Sequence, residues 1–134
     1  MAELLVPISP GELIDKITIL EIKSARMTDA GKLRNVRTEL ALLNATWQAS
    51  PYAAADIAAE WSGLRDVNRQ LWDIEDRIRD KERDTTFDAE FIELARAVYV
   101  TNDERAALKK RINTQLGSTI VEEKSYAEYQ RRQS

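Results

Sequence analysis

SPGELIDKITILEIK, Ser9 to Lys23, decides the fold. Ser9 as N-cap, Pro10 at the first helical position and Glu12 at the third form a capping box, with Ile8 and Leu13 spaced for a hydrophobic staple. Val6-Pro7 and Ser9-Pro10 each push the residue before proline out of the helical region, so the chain enters extended and then caps. The pattern predicts a helix from about Pro10 to Met27. At about 100° per residue, Leu13, Ile17 and Leu20 define one face with Ile14 beside it, while Ile19 and Ile22 lie nearly opposite. A helix apolar on two sides needs neighbours on two sides, so this one is central. Lys16 and Lys23 can snorkel outward, and Glu12 supports Lys16 at i,i+4. Glu21 cannot escape so simply, because its angle falls between Ile14 and Ile17.

The rest of the chain supplies the neighbours. Thr28 or Asp29 can cap a second helix in which Leu33, Val36, Leu40, Leu43 and Trp47 alternate three-four, and Ser50-Pro51 ends it. A third helix from about Ala53 to Arg83, on the order of 45 Å long, carries Ile57, Trp61, Leu64, Leu71, Ile74 and Ile78. It is expected to pair antiparallel with the second helix as a long hairpin. Asp84-Thr85-Thr86-Phe87-Asp88 reads as a loop ending in a cap. Phe91, Leu94, Val98, Leu108, Ile112 and Leu116 then keep one helical period, continuous through Thr101-Asn102-Asp103, to Gly117 as a C′ glycine. The expected fold class is an all-α helical bundle over residues 1–117 with a docked tail over residues 118–134. Ile120, Val121, Tyr126 and Tyr129 make that tail too apolar for a solvated end, so it packs on its own bundle or on a second copy.

Composition narrows the chemistry. The chain has 134 residues, enough for one domain that buries roughly two-thirds of its unfolded surface. A formal net charge of −3 offers nothing to attract phosphate backbones, so nucleic acid is not an expected partner. The absence of cysteine and histidine removes disulfides, thiolate nucleophiles, thiolate and imidazole zinc sites and histidine-dependent triads. No cofactor and no metal is expected. No apolar run is long enough for a membrane span, and Met1 to Ser9 lacks the basic start and apolar stretch of a signal peptide, which makes the cytoplasm the expected location.

What polar chemistry remains sits inside apolar stripes. Besides Glu21, the third helix places Asn68 and Glu75 within the arc of Trp61, Trp72 and Leu71, with Arg79 at its edge. The last helix projects Asn102, Arg105 and Lys109 along the arc of Phe91, Val98, Ile112 and Leu116. A buried charge needs a partner or costs several kcal/mol, so Glu21 and Glu75 are expected to meet Arg105, Lys109 or Arg79. One reading is a structural ion-pair network that fixes register; the other is a cleft where cations hold an anionic ligand beside carboxylates able to act as acid or base. Glu12-Leu-Ile-Asp15 and Glu90-Phe-Ile-Glu93 have the i,i+3 carboxylate spacing by which helical nucleotide pyrophosphohydrolases hold magnesium, but their order does not match that family's motif. Arg105, Lys109, Lys110 and Arg111 form a small basic patch of the kind that complements a helix end. Trp47, Trp61 and Trp72 read as core.

PISPGELIDKITILEIK, NVRTELALL, LWDIEDRIRD, FIELARAVYVTNDERAALKKRIN and GSTIVEEKSY together resemble a family of small bacterial all-helical proteins of unknown function. The resemblance covers nearly the whole chain and implies a self-sufficient module; similar segments also occur joined to larger proteins linked to cell-envelope sugars. It implies no catalytic residues. The expectation is a binding or assembly module that self-associates as a dimer, with a protein or an anionic small molecule as a further partner. The alternative is a small enzyme acting on an anionic metabolite, similar in architecture to helical mutases of the chorismate type, whose arginines clamp a dicarboxylate. No mutase motif is matched.

Overall fold

The computed structural model describes residues 2–125, and these hold four helices and no strand: α1 (Pro10–Arg26), α2 (Ala30–Ala49), α3 (Ala58–Arg83) and α4 (Ala89–Gln115). The caps follow local chemistry. The side-chain oxygens of Ser9, Asp29 and Asp88 accept from the backbone N–H three residues on, satisfying donors that the first turn leaves open. Only half of the capping box forms at Ser9, because the Glu12 carboxylate turns away to Lys109 at 2.6 Å and Lys16 at 3.7 Å.

The far end of α4 closes as read from Gly117, which takes a left-handed φ of 67°. Its N–H donates to the Thr114 carbonyl and the Ser118 N–H to the Asn113 carbonyl, the paired bonds of a Schellman cap. The end of α3 uses the same two bonds around Thr85, whose φ is 50°. A β-branched side chain adopts that left-handed conformation only under strain.

Helix α1 lies at the centre and packs against each of the other three. Leu13, Ile14 and Ile17 enter one core cluster with Trp47, Ile57, Leu64 and Ile112, and Leu40, Leu43, Trp61 and Leu108 pack around it. The two-sided pattern of α1 is thus spent on α2 along one flank and on the α3–α4 pair along the other.

Two expectations about α3 are corrected. It begins at Ala58, so it is about 39 Å long. The reason is that residues 51–54 form turns that bring Tyr52 onto Trp47 at 6.4 Å and sink Ile57 into the core. Its principal neighbour is α4, not α2. Here the cause lies in the connections. Only Met27 to Asp29 separate α1 from α2, so α2 folds straight back along α1. Residues 50–57 then carry the chain across to the other flank, and the short Asp84–Asp88 loop returns α4 along α3, as short connections between helices require. Gln115 donates to the Asp56 carbonyl at one end of that pair, and Lys81 meets Asp88 at the other. Helix α2 touches α3 through the edge-to-face contact of Trp47 with Trp61, a favoured arrangement of two aromatic rings.

Candidate functional site

Three helices converge on one buried carboxylate. Asp15 of α1 is 1% exposed; Arg105 of α4 donates to it from Nε at 2.8 Å and from Nη2 at 2.5 Å, and Asn68 of α3 adds Nδ2 at 2.9 Å. Asn68 also donates to Thr18 Oγ1 at 3.0 Å, while that hydroxyl donates to the Asp15 carbonyl at 2.9 Å. A bidentate guanidinium–carboxylate pair is the geometry that best repays burying two charges. The hydrogen bonds to Asp15 hold the Arg105 guanidinium above its ordinary pKa, so it stays charged. Among the described residues no buried side-chain polar atom lacks a partner.

One turn further along α4 the charges come to the surface. Lys109 holds Glu12 at 2.6 Å and Glu122 at 2.7 Å. Burial works to lower its pKa, but those two hydrogen bonds outweigh it and the ammonium sits above the usual lysine value, since bonding to the charged form favours that form. Glu122 is held below the usual carboxylate value, chiefly by its hydrogen bond from Lys109. Lys110 meets Glu123 at 3.6 Å and Lys124 meets Asp103. Residues 122–124 therefore lie along α4 and wall an open groove of about 850 Å³, whose floor includes Glu12, Tyr99, Asn102, Arg105 and Lys109.

Backbone fit places α1 against this groove. The Gly11 N–H donates to Asn113 Oδ1 at 2.7 Å, and a Cβ on Gly11 would lie 2.6 Å from the Lys109 carbonyl oxygen. Only glycine allows that approach, which is what delivers Glu12 to Lys109 and Asp15 to Arg105.

The residues singled out by angle alone separate into three groups. Asn68, Arg105 and Lys109 join the cluster, and Asn102 is exposed on the groove floor. Glu21 pairs with Arg65 of α3 at 2.8 Å, half-buried and away from Arg105 and Lys109. Among the described residues Glu75 and Arg79 pair with each other, at 3.8 Å, with the arginine side chain 80% exposed. Of the expected meetings of Glu21 and Glu75 with Arg105, Lys109 or Arg79, that of Glu75 with Arg79 occurs, while neither carboxylate reaches Arg105 or Lys109. The cause is length: Arg26, the last residue of α1, is already paired with Asp73, so α3 beyond that point runs past α1 and Glu75 faces water.

Asp15, Thr18, Asn113 and Glu122 are the contributors that the angular reading missed. A signal for Asp15 was present, since at about 100° per residue it falls between Ile19 and Ile22. Nothing local marks Asn113, whose partner lies 102 residues away. The i,i+3 carboxylates Glu12 and Asp15 both face cations, and no group of three side chains able to hold a metal occurs among the described residues.

A second surface leaves the same end of the bundle. Residues 2–8 have no regular secondary structure, and Leu4, Leu5 and Val6 are 95%, 89% and 70% exposed, just ahead of the buried Ser9-Pro10-Gly11 start of α1. No helix among the described residues is long and apolar enough to cross a membrane.

No curated protein and no solved structure matches the chain. The helices, the cluster and the segments that flank them lie almost wholly within residues 4–132, the span matched by the model of a family of unknown function (DUF6165), and the chain belongs to that family.

Proposed function

We infer that this protein is a helical binding and assembly module that associates with a second copy of itself in the cytoplasm. The observation that carries this reading is the aliphatic arm: Leu4, Leu5 and Val6 stand almost fully in water beside a helix start that is fixed in the core. Burying three such side chains contributes on the order of 5 kcal/mol per copy before ordering costs. In a twofold contact every side chain counts twice, which favours a second copy as the occupant. Asn113 also brings the arm and the segment after Gly117 to one end of the bundle, its side chain holding Gly11 and its carbonyl Ser118. A twofold contact at that end gathers both segments from both copies, which accommodates packing of the tail on a second copy, one of the two placements expected from sequence. Tyr126 and Tyr129, part of that expectation, lie outside the described residues.

The enzymatic reading finds less support. Its best-placed carboxylate, Asp15, has its oxygens taken up by Arg105 and Asn68 and is closed to a substrate.

Light scattering on the intact chain and on a Leu4→Asp/Leu5→Asp variant tests the proposal. The expected masses are twice 15.3 kDa for the intact chain and 15.3 kDa for the variant. An intact chain that stays at the single-copy mass at every concentration overturns self-association.

A further inference from the structure

We propose that the face of α4 that carries Lys109, Lys110 and Asp103, beside the open groove, is a binding site for an extended acidic peptide segment, and that Glu122, Glu123 and Lys124 are its resident occupant. This rests on the binding-module reading but uses a different surface from the aliphatic arm.

The resident segment is held by charge more than by burial. Ile120 and Val121 remain 41% and 40% exposed, so its apolar contact is partial and neither side chain is sunk in the core. Its attachment is ionic, through Lys109, Lys110 and Asp103, and ion pairs in contact with water are individually weak and screened by salt. A segment held in this way is replaceable by another of the same chemistry. The receiving side, in contrast, is fixed. Lys109 is also held from the bundle itself, by Glu12 at 2.6 Å, and Glu12 is positioned by the close approach of Gly11 to α4.

Charge order selects a peptide over a lone anion. Lys109 and Asp103 are six residues apart on one helix, about 9 Å along its axis. Two to three residues of extended chain cover that distance. Cations at one end and a carboxylate at the other therefore match a peptide reading acidic, acidic, basic, as Glu122-Glu123-Lys124 does. A free anion can engage only the lysine half. Tyr99 and Asn102 line the rest of the floor, where the side chains flanking that triplet would lie.

The test uses the full-length chain with Glu122→Gln and Glu123→Gln, which weakens the resident, and a labelled peptide of sequence STIVEEKS read by fluorescence anisotropy. Saturable binding is expected, about three- to tenfold tighter than to the unaltered chain, where the resident competes. Binding should fall with added salt and with a further Lys110→Ala substitution, and a melting temperature equal to that of the unaltered chain confirms folding. Absence of saturable binding to the double variant overturns the proposal, as does equal binding of a peptide with glutamine at both acidic positions. Displacement of the peptide by free glutamate as efficiently as by unlabelled peptide would show a simple anion site and also overturns it. None of these readouts depends on the copy number, so failure here leaves the arm's role standing.

Discussion

Two ion-pair systems lie one helical turn apart on α4 and both join carboxylates to cationic side chains, yet they differ in what a broken pair leaves behind. Around Asp15 the cluster is drawn from three helices and the carboxylate itself is shut off from water, so it depends on its partners. Around Lys109 one partner, Glu12, belongs to the bundle and the other, Glu122, to an irregular segment facing solvent. Water can replace a lost partner at the rim and cannot do so in the interior. Chemical type therefore says little about the role of an ion pair, and burial on each side says most of it.

The most severe way to break the contrast is Asp15→Ala. It strands Arg105 and leaves the Asn68 amide short of an acceptor. The expected loss is about 3 kcal/mol of stability, somewhat relieved because Arg105 keeps partial contact with water. A urea midpoint unchanged from the native protein would show that the buried cluster is no more than decoration.

Next in size is Gly11→Ala. The added methyl must push the Lys109 carbonyl away. We expect a net loss of about 2 kcal/mol from this overpacking, after allowing for the roughly 1 kcal/mol that alanine gains over glycine as a helix former. A gain in melting temperature would mean that α1 and α4 separate there without cost.

Acid sharpens the comparison from the other side. The pKa of Glu122 is lowered in the folded chain by Lys109. Its contribution is therefore fully present above the ordinary value of 4.5 and is lost as pH falls through the lowered value. Lys109 is raised, so its own contribution persists below 10.5 and is lost only above that. The amide signals of Glu122 and Lys124 should move toward free-peptide positions as pH is taken below 4.5, and insensitivity there would remove the ionic account of the segment.

Smallest of all is Glu75→Ala. Its pair with Arg79 is an exposed i,i+4 contact. The change is expected to stay within about 0.5 kcal/mol, the usual scale for such pairs. A cost comparable to that of Asp15→Ala would erase the distinction between the two systems.

What could be read from the residues follows from the range of the interactions. The start of α1 at Ser9-Pro10, the end of α2 at Ser50 and the Gly117 cap are settled within a turn, and the wheel sees that α1 is apolar on two sides. The pairing of α3 with α4 rather than α2 depends on where each connection sends the chain, which no helical period contains. Angle alone put Asn68 and Glu75 on an equal footing. The structure separates them by position along α3, since α1 runs beside that helix only as far as about Asp73.

The bond from Gly11 to Asn113 carries a consequence for the moment of birth. The two residues are 102 positions apart. At synthesis rates of about 5–20 residues per second, the first turn of α1 waits roughly 5 to 20 s for the side chain that completes it. Until α3 is made, Ile14 and Ile17 have only α2 for shelter, and until α4 follows, the core cluster that they join still lacks Ile112. The nascent chain therefore emerges with its most apolar helix half-clothed, and closure becomes a late event tied to the release of the last helix, which makes this chain a natural client for whatever guards young polypeptides at the ribosome.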